Sequence, residues 1–105
     1  KDINLILENM VFMELLRHGY HVTVGKIGDK EIDFIGERQN EKIYIQVCYL
    51  LASEEAIKRE FDVYDEVKDN YPKFVVSMDE IDLSRNGIRH MNIRDFLSME
   101  EWTSI

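Results

Sequence analysis

The stretch KEIDFIGERQNEKIYIQVCYL, Lys30 to Leu50, decides the architecture of this chain. It divides into two strands, Lys30 to Glu37 and Glu41 to Leu50, about a turn at Gln39-Asn40. A turn centred there pairs Phe34 with Ile45, Ile32 with Val47, Asp33 with Gln46 and Glu31 with Cys48. That parity puts the apolar residues on one face. On the other face a carboxylate and an amide oxygen lie opposed, their Cβ atoms about 5 Å apart, close enough to share one hard cation through oxygen ligands. Cys48 stands two residues after Gln46.

Working outward, the residues before the hairpin read as a helix over Asn4 to His18, closed by Gly19 in the left-handed C-cap conformation. At about 100° per residue its apolar side chains cover almost the whole circumference, the mark of a helix buried on several sides. In a domain this small, either it is a central core helix or part of it packs against another domain or a second copy. A short strand, Tyr20 to Val24, and a Gly28-Asp29 turn lead into the hairpin. After it, Ser53 is a good N-cap for a helix from Glu54 to about Asp69, with Ile57, Phe61, Tyr64 and Val67 at helical spacing before Pro72. Lys73 to Met78 reads as a strand. A turn at Arg85-Asn86-Gly87 precedes a strand over Ile88 to Met91, and Asn92 caps a last short helix holding Phe96 and Leu97. The expected class is α/β, with the order α-β-β-β-α-β plus a terminal strand and helix.

A chain of 105 residues forms one domain with a single core, here 1–105. Its net charge of −8 makes the domain as a whole a poor non-specific ligand for nucleic acid, since such binding needs Lys and Arg to displace counterions. No apolar run is long enough to span a membrane and no signal segment opens the chain, so a cytoplasmic setting is expected. The lone Cys48 agrees, having no internal disulfide partner. Lys1, followed almost at once by an apolar helix, reads as the start of a fragment of a longer protein.

Glu8 in LENMVFMELL on the first helix, Asp33 in KEIDFI on the second strand and Gln46 in IYIQVCYL on the third together resemble the PD-(D/E)XK, or restriction-endonuclease-like, superfamily. More closely, ENMVFMELLRHGY, VGKIGDKEIDFI, EKIYIQVCYLL, KDNYPKFVVSMDE and GIRHMNIRDFL look like the C-terminal domain of unknown function of a bacterial and archaeal family of AAA+ type ATPases. The resemblance implies a restriction-endonuclease-like core, a mixed sheet flanked by helices, and a chain whose main partner is the ATPase domain preceding it. A homo-oligomer is a further expected assembly, from the apolar circumference of the first helix. In the intact superfamily pattern, two carboxylates and a backbone carbonyl hold Mg²⁺ or Mn²⁺, which activates a water, while a Lys orients or deprotonates it. Carried over, Glu8 matches the helix acid, Asp33 the central ligand, Gln46 the acid-or-Gln position and Cys48 the Lys position. A neutral thiol cannot replace an ammonium there. Lys58, Arg59, Lys42 and Lys30 are the candidates for a relocated cation.

The expected function is therefore an accessory nuclease-like module with a decayed catalytic set, needing no cofactor and not itself an enzyme. The alternatives are a live metal-dependent nuclease using Glu8, Asp33 and Gln46, and a pure interaction or dimerisation module. No phosphate-loop motif is present, so ATP binding would belong to the rest of the protein. Asp33 and Gln46 also have a plainer reading as a cross-strand hydrogen-bonded pair. Glu8, flanked at helical spacing by Leu5, Phe12 and Leu15, calls for a partner. Cys48 reads as a small buried residue, Tyr44, Tyr49 and Phe61 as core aromatics, and His18, His21 and His90 as surface or turn residues.

Overall fold

A computed structural model describes residues 2–103; Lys1, on which the fragment reading rests, lies outside them. Helix α1 (Ile3–Arg17) is followed by strands β1 (His21–Ile27), β2 (Lys30–Arg38) and β3 (Glu41–Val47). Helix α2 (Glu54–Asp62) runs into a 3-10 turn (Val63–Glu66), and strands β4 (Lys73–Ser77) and β5 (Arg89–Asn92) precede helix α3 (Ile93–Ser98). The strands make one mixed sheet in the order β1-β2-β3-β4-β5, antiparallel from β1 to β3 and parallel from β3 to β5. The fold is α/β, with the mixed sheet flanked by helices. Among the described residues no helix is long and apolar enough to cross a membrane.

Local chemistry accounts for the element ends. Gly19, at φ +90°, closes α1: its N–H donates to the Leu16 carbonyl and that of Tyr20 to Leu15, satisfying two carbonyls the helix leaves open. Ser53 Oγ accepts from the Ala56 N–H and Asn92 Oδ1 from the Arg94 N–H, so both expected N-caps form. Helix α2 stops at Asp62, well short of Asp69, because the chain tightens into the 3-10 turn. There Tyr64 is buried and its hydroxyl donates to the Phe74 carbonyl at 2.8 Å.

The hairpin has the expected register from Arg38–Glu41 to Phe34–Ile45. Its faces do not follow simple parity. Between β1 and β2 a bulge sets Asp33 and Phe34 opposite the single residue Val24, which moves every residue beyond it to the other face. Ile32 therefore packs with Tyr44, Cys48 and Phe61 under α2, while Phe34 packs against the cluster under α1 and α3. The expectation that all apolar residues share one face is corrected accordingly: both faces of the sheet are covered. Gly25 admits the bulge, since a Cβ there would lie 2.6 Å from Ile35 Cδ1.

Two further expectations change. Helix α1 buries only Leu7, Val11 and Leu15, so it is not surrounded. Tyr49 is 41% exposed, unlike Tyr44 and Phe61, because the chain leaves the sheet after Val47.

His90 is not a surface or turn residue. It is buried on β5, where Nδ1 accepts from the Leu83 N–H and Nε2 lies 2.7 Å from Ser77 Oγ, which donates to Asp79 Oδ2 at 2.8 Å. The Leu83 contact fixes the tautomer with the proton on Nε2. Despite its residue types this is no nucleophilic triad: the imidazole donates to the serine and has no basic nitrogen facing it. Burial lowers the His90 pKa, against the opposing pull of Asp79 and Asp82. A depressed histidine disfavours the native state once the unfolded chain begins to protonate, so the contribution of His90 to stability falls as pH drops below about 6.5. The expected NMR titration midpoint of His90 lies below that value, and a midpoint above it would contradict the assigned tautomer network.

The candidate site, a carboxylate cleft at the parting of two strands

Beyond Ile45, β3 stays with β4 but leaves β2. The Cys48 N–H still bonds the Val76 carbonyl, and the Met78 N–H bonds that of Tyr49. On the β2 side, side chains replace the ladder. The Asp33 N–H donates to Gln46 Oε1 at 2.8 Å, and the Val47 N–H donates to Asp33 Oδ2 at 2.8 Å. Asp33 and Gln46 thus meet as the hairpin implied, each bonded to the other strand's backbone and not side chain to side chain.

This parting opens a cleft of about 480 Å³ that gathers Glu8 from α1, Asp33 from β2 and Gln46 from β3. It also gathers Glu60, which the sequence reading passed over. Gln46 Nε2 donates to Glu60 Oε1 at 3.2 Å, and Arg59 Nε stands 3.7 Å from Glu60 Oε2. A signal for Glu60 existed: at helical spacing it sits beside Tyr64 at the border of the apolar stripe of α2, whereas Lys58 and Arg59 point outward. Glu8 is half-buried beside Leu7, but its helical neighbour Leu5 is 50% exposed. The apolar surroundings expected to demand a partner for Glu8 are thus only partly there.

Five carboxyls line the cleft, those of Glu8, Glu31, Asp33, Glu60 and Asp62, and Glu8, Asp33 and Glu60 hold their protons more tightly than usual. Burial raises Glu60 to about 7, with Asp33 adding to the effect and Arg59 opposing it. Asp33 is raised by burial and by Glu31, against the Val47 N–H bond. Glu8 is raised by burial, then by Asp33 and Asp2. Carboxyls that are partly buried and set close to one another retain protons in this way.

The four candidate cations divide. Lys30, Lys58 and Arg59 line the cleft, and Lys58 is paired with Asp62 at 2.7 Å. Lys42 is elsewhere, its ammonium over the rings of Tyr44 and Tyr71. Cys48 lies in the apolar cluster under α2 with its thiol donating to the Leu50 carbonyl at 3.2 Å. Burial, with Glu60 nearby, pushes it up to about 11, so it is a neutral thiol and no nucleophile at physiological pH.

Two of the oxygens that would ligate Mg²⁺ or Mn²⁺ already accept backbone hydrogen bonds. Gln46 Oε1 and Asp33 Oδ2 are engaged with backbone N–H groups, and the Gln46 amide points its donor at Glu60. Among the described residues no three His, Cys, Asp or Glu side chains converge as ligands of one ion. Near-octahedral Mg²⁺ demands such convergence or several retained waters. The cleft is chemically a cluster of carboxyls bordered by the cations of Lys30, Lys58 and Arg59.

The fold and cleft define an α/β domain with an acidic pocket at the open end of a β-hairpin. No protein-family model matches the chain. A Haemophilus influenzae protein described only as uncharacterized is 45% identical over 71 residues, 68% of this chain. The match spans 17% of that relative's length.

Proposed function

We propose that this chain is a nuclease-like accessory module of an AAA+ type ATPase, without nuclease catalysis of its own. The observation that carries this reading is Cys48. The position two residues after Gln46, which the superfamily pattern gives to Lys, holds a buried neutral thiol facing the apolar cluster. The module's implied partner is the ATPase domain of the same protein, in a cytoplasmic setting.

A live enzyme is the second reading, favoured by the meeting of Glu8, Asp33, Gln46, Lys30, Lys58 and Arg59 in one cleft. It would need a metal ion to displace the hydrogen bonds that now engage Asp33 and Gln46. One assay separates the two: single-stranded, double-stranded and branched DNA and RNA with Mg²⁺ or Mn²⁺, comparing wild type, Asp33→Ala and Cys48→Lys. No cleavage by wild type is expected, and Asp33→Ala should change nothing. Metal-dependent cleavage by wild type that disappears in Asp33→Ala would overturn the proposal and establish the enzyme.

A further inference from the structure

Among the described residues, the connection between the parallel strands β4 and β5 carries no helix, and a side chain of the sheet holds it down. His90 meets this loop twice. Its imidazole Nδ1 accepts from the Leu83 N–H at 3.2 Å, and its backbone N–H donates to Ser84 Oγ at 2.8 Å. Leu83 in turn lays its half-buried side chain against the apolar cluster under α2. A cavity of about 190 Å³, lined in part by Ile81 and Asp82, reaches the buried ring and gives it a route to solvent protons.

We propose that residues 79–87 form a proton-operated latch, closed through Leu83 while His90 is neutral and released at Leu83 when the imidazole takes a second proton on Nδ1. The surroundings of the ring direct the change to one side. Nε2 already carries a proton and donates to Ser77 Oγ, so that contact is the same in both states. On Nδ1 an added proton sets donor against donor at 3.2 Å, and the Leu83 N–H has to leave. The Ile81 carbonyl, which also faces the ring and favours its charged form, then becomes the acceptor. The loop therefore has two discrete arrangements, one bonded to the ring through Leu83 and one through Ile81. The tie to Ser84 does not titrate, so the loop stays anchored while Leu83 withdraws from the cluster under α2.

The charges around the ring come from every element that packs on it. Burial opposes the added proton, whereas Asp79 and Asp82 of the loop favour it. Arg89 on β5 and Asp95 on α3 line the same cavity, and Glu80 of the loop pairs with Arg94 of α3 at 3.3 Å. On β4 the neighbour is the neutral Ser77. None of these groups borders the carboxylate cleft, so the latch stands whether or not that cleft supports cleavage.

NMR titration of the 105-residue chain from about pH 8 to about pH 5 tests the latch. The Leu83 amide and the His90 ring are expected to share one midpoint while far-UV circular dichroism stays constant, and the amide of the fully buried Ile45 should not follow them. Because the closed loop disfavours the proton, weakening the closure must favour the proton by the same factor. Leu83→Ala, which removes apolar packing from the closed form, is expected to raise the His90 midpoint by roughly half a pH unit, about threefold in proton affinity. Glu60→Gln removes another group that titrates in this range and should leave the Leu83 response in place. In His90→Gln the Leu83 amide should stay flat, and Leu83→Ala carries the test if that variant does not fold. A Leu83 amide that ignores protonation of the ring would overturn the latch, as would a midpoint that Leu83→Ala leaves unmoved. The same holds for a Leu83 response that is lost in Glu60→Gln or kept in His90→Gln, and for a ring that stays neutral until the whole domain unfolds.

Discussion

Trp102→Ala is expected to cost about 3–5 kcal/mol of unfolding free energy, measured by denaturant titration. Trp102 lies beyond the last helix, yet it is 2% exposed and belongs to the core under α1 and α3. Its ring stacks on Phe96 at 4.4 Å and 5°, and on the other side on His18 at 4.0 Å and 13°. The indole N–H donates to the Phe96 carbonyl at 2.9 Å, satisfying the one polar atom of the side chain and one of the open carbonyls of α3. Removing the ring would empty the space between the end of α1 and α3, and leave the Phe96 carbonyl only the longer bond from the Met99 N–H at 3.4 Å. Trp102→Phe, which keeps most of the volume but not the N–H, should recover more than half of the loss. A cost below about 1 kcal/mol for the alanine variant would show that the segment after α3 contributes no packing.

Glu60→Gln is expected to stabilise the domain by about 2 kcal/mol at pH 8 and to have almost no effect at pH 4. The sign follows from the raised pKa. With a folded value of about 7 against 4.5 in the unfolded chain, the contribution of Glu60 is intact below pH 4.5 and is lost as pH rises through 7. Glutamine removes that penalty while its amide oxygen can still accept the Gln46 Nε2–H bond. The Glu60 side chain is only 15% exposed, so solvent screens little of the effect, although loss of the outward Arg59 contact offsets part of it. Thermal melts of both proteins from pH 4 to 8 should diverge with rising pH. Parallel curves would mean that Glu60 is neutralised by a cation in the cleft.

The sheet and its helices were legible because the signals that set them are local. Ser53 and Asn92 are caps, Gly19 and Asn86-Gly87 take positive φ, and the strands alternate around a two-residue turn whose Gln39 also has positive φ. Glu8, Asp33 and Gln46 reach one cleft because each lies on an element whose position those signals determine. What alternation does not report is an irregular step. The bulge at Asp33-Phe34 turns Ile32 to the opposite face, and its one trace in the sequence is Gly25 on the neighbouring strand. Glu60 escaped notice because a border residue on a short helix looks solvent-facing until the sheet beneath it is in place. His90 escaped because its burial depends on Ser77, Asp79 and Leu83, a network assembled across the connection between two parallel strands. The apolar circumference of α1 was plain in the sequence, but which arc the sheet would take and which it would leave open was not.

The irregular step in the hairpin also bears on how the protein tolerates crowding. β1 forms one edge of the sheet, and an unguarded edge invites strands of neighbouring molecules to add on and grow into aggregates. Here the bulge opposite Val24 adds twist to the β1–β2 pair, and His21 and Lys26 stand exposed along the same short strand. Strand addition from this side is therefore discouraged by that twist and by the exposed charge of Lys26, and wherever this chain meets another copy of itself, fibre-like growth is not the route it offers.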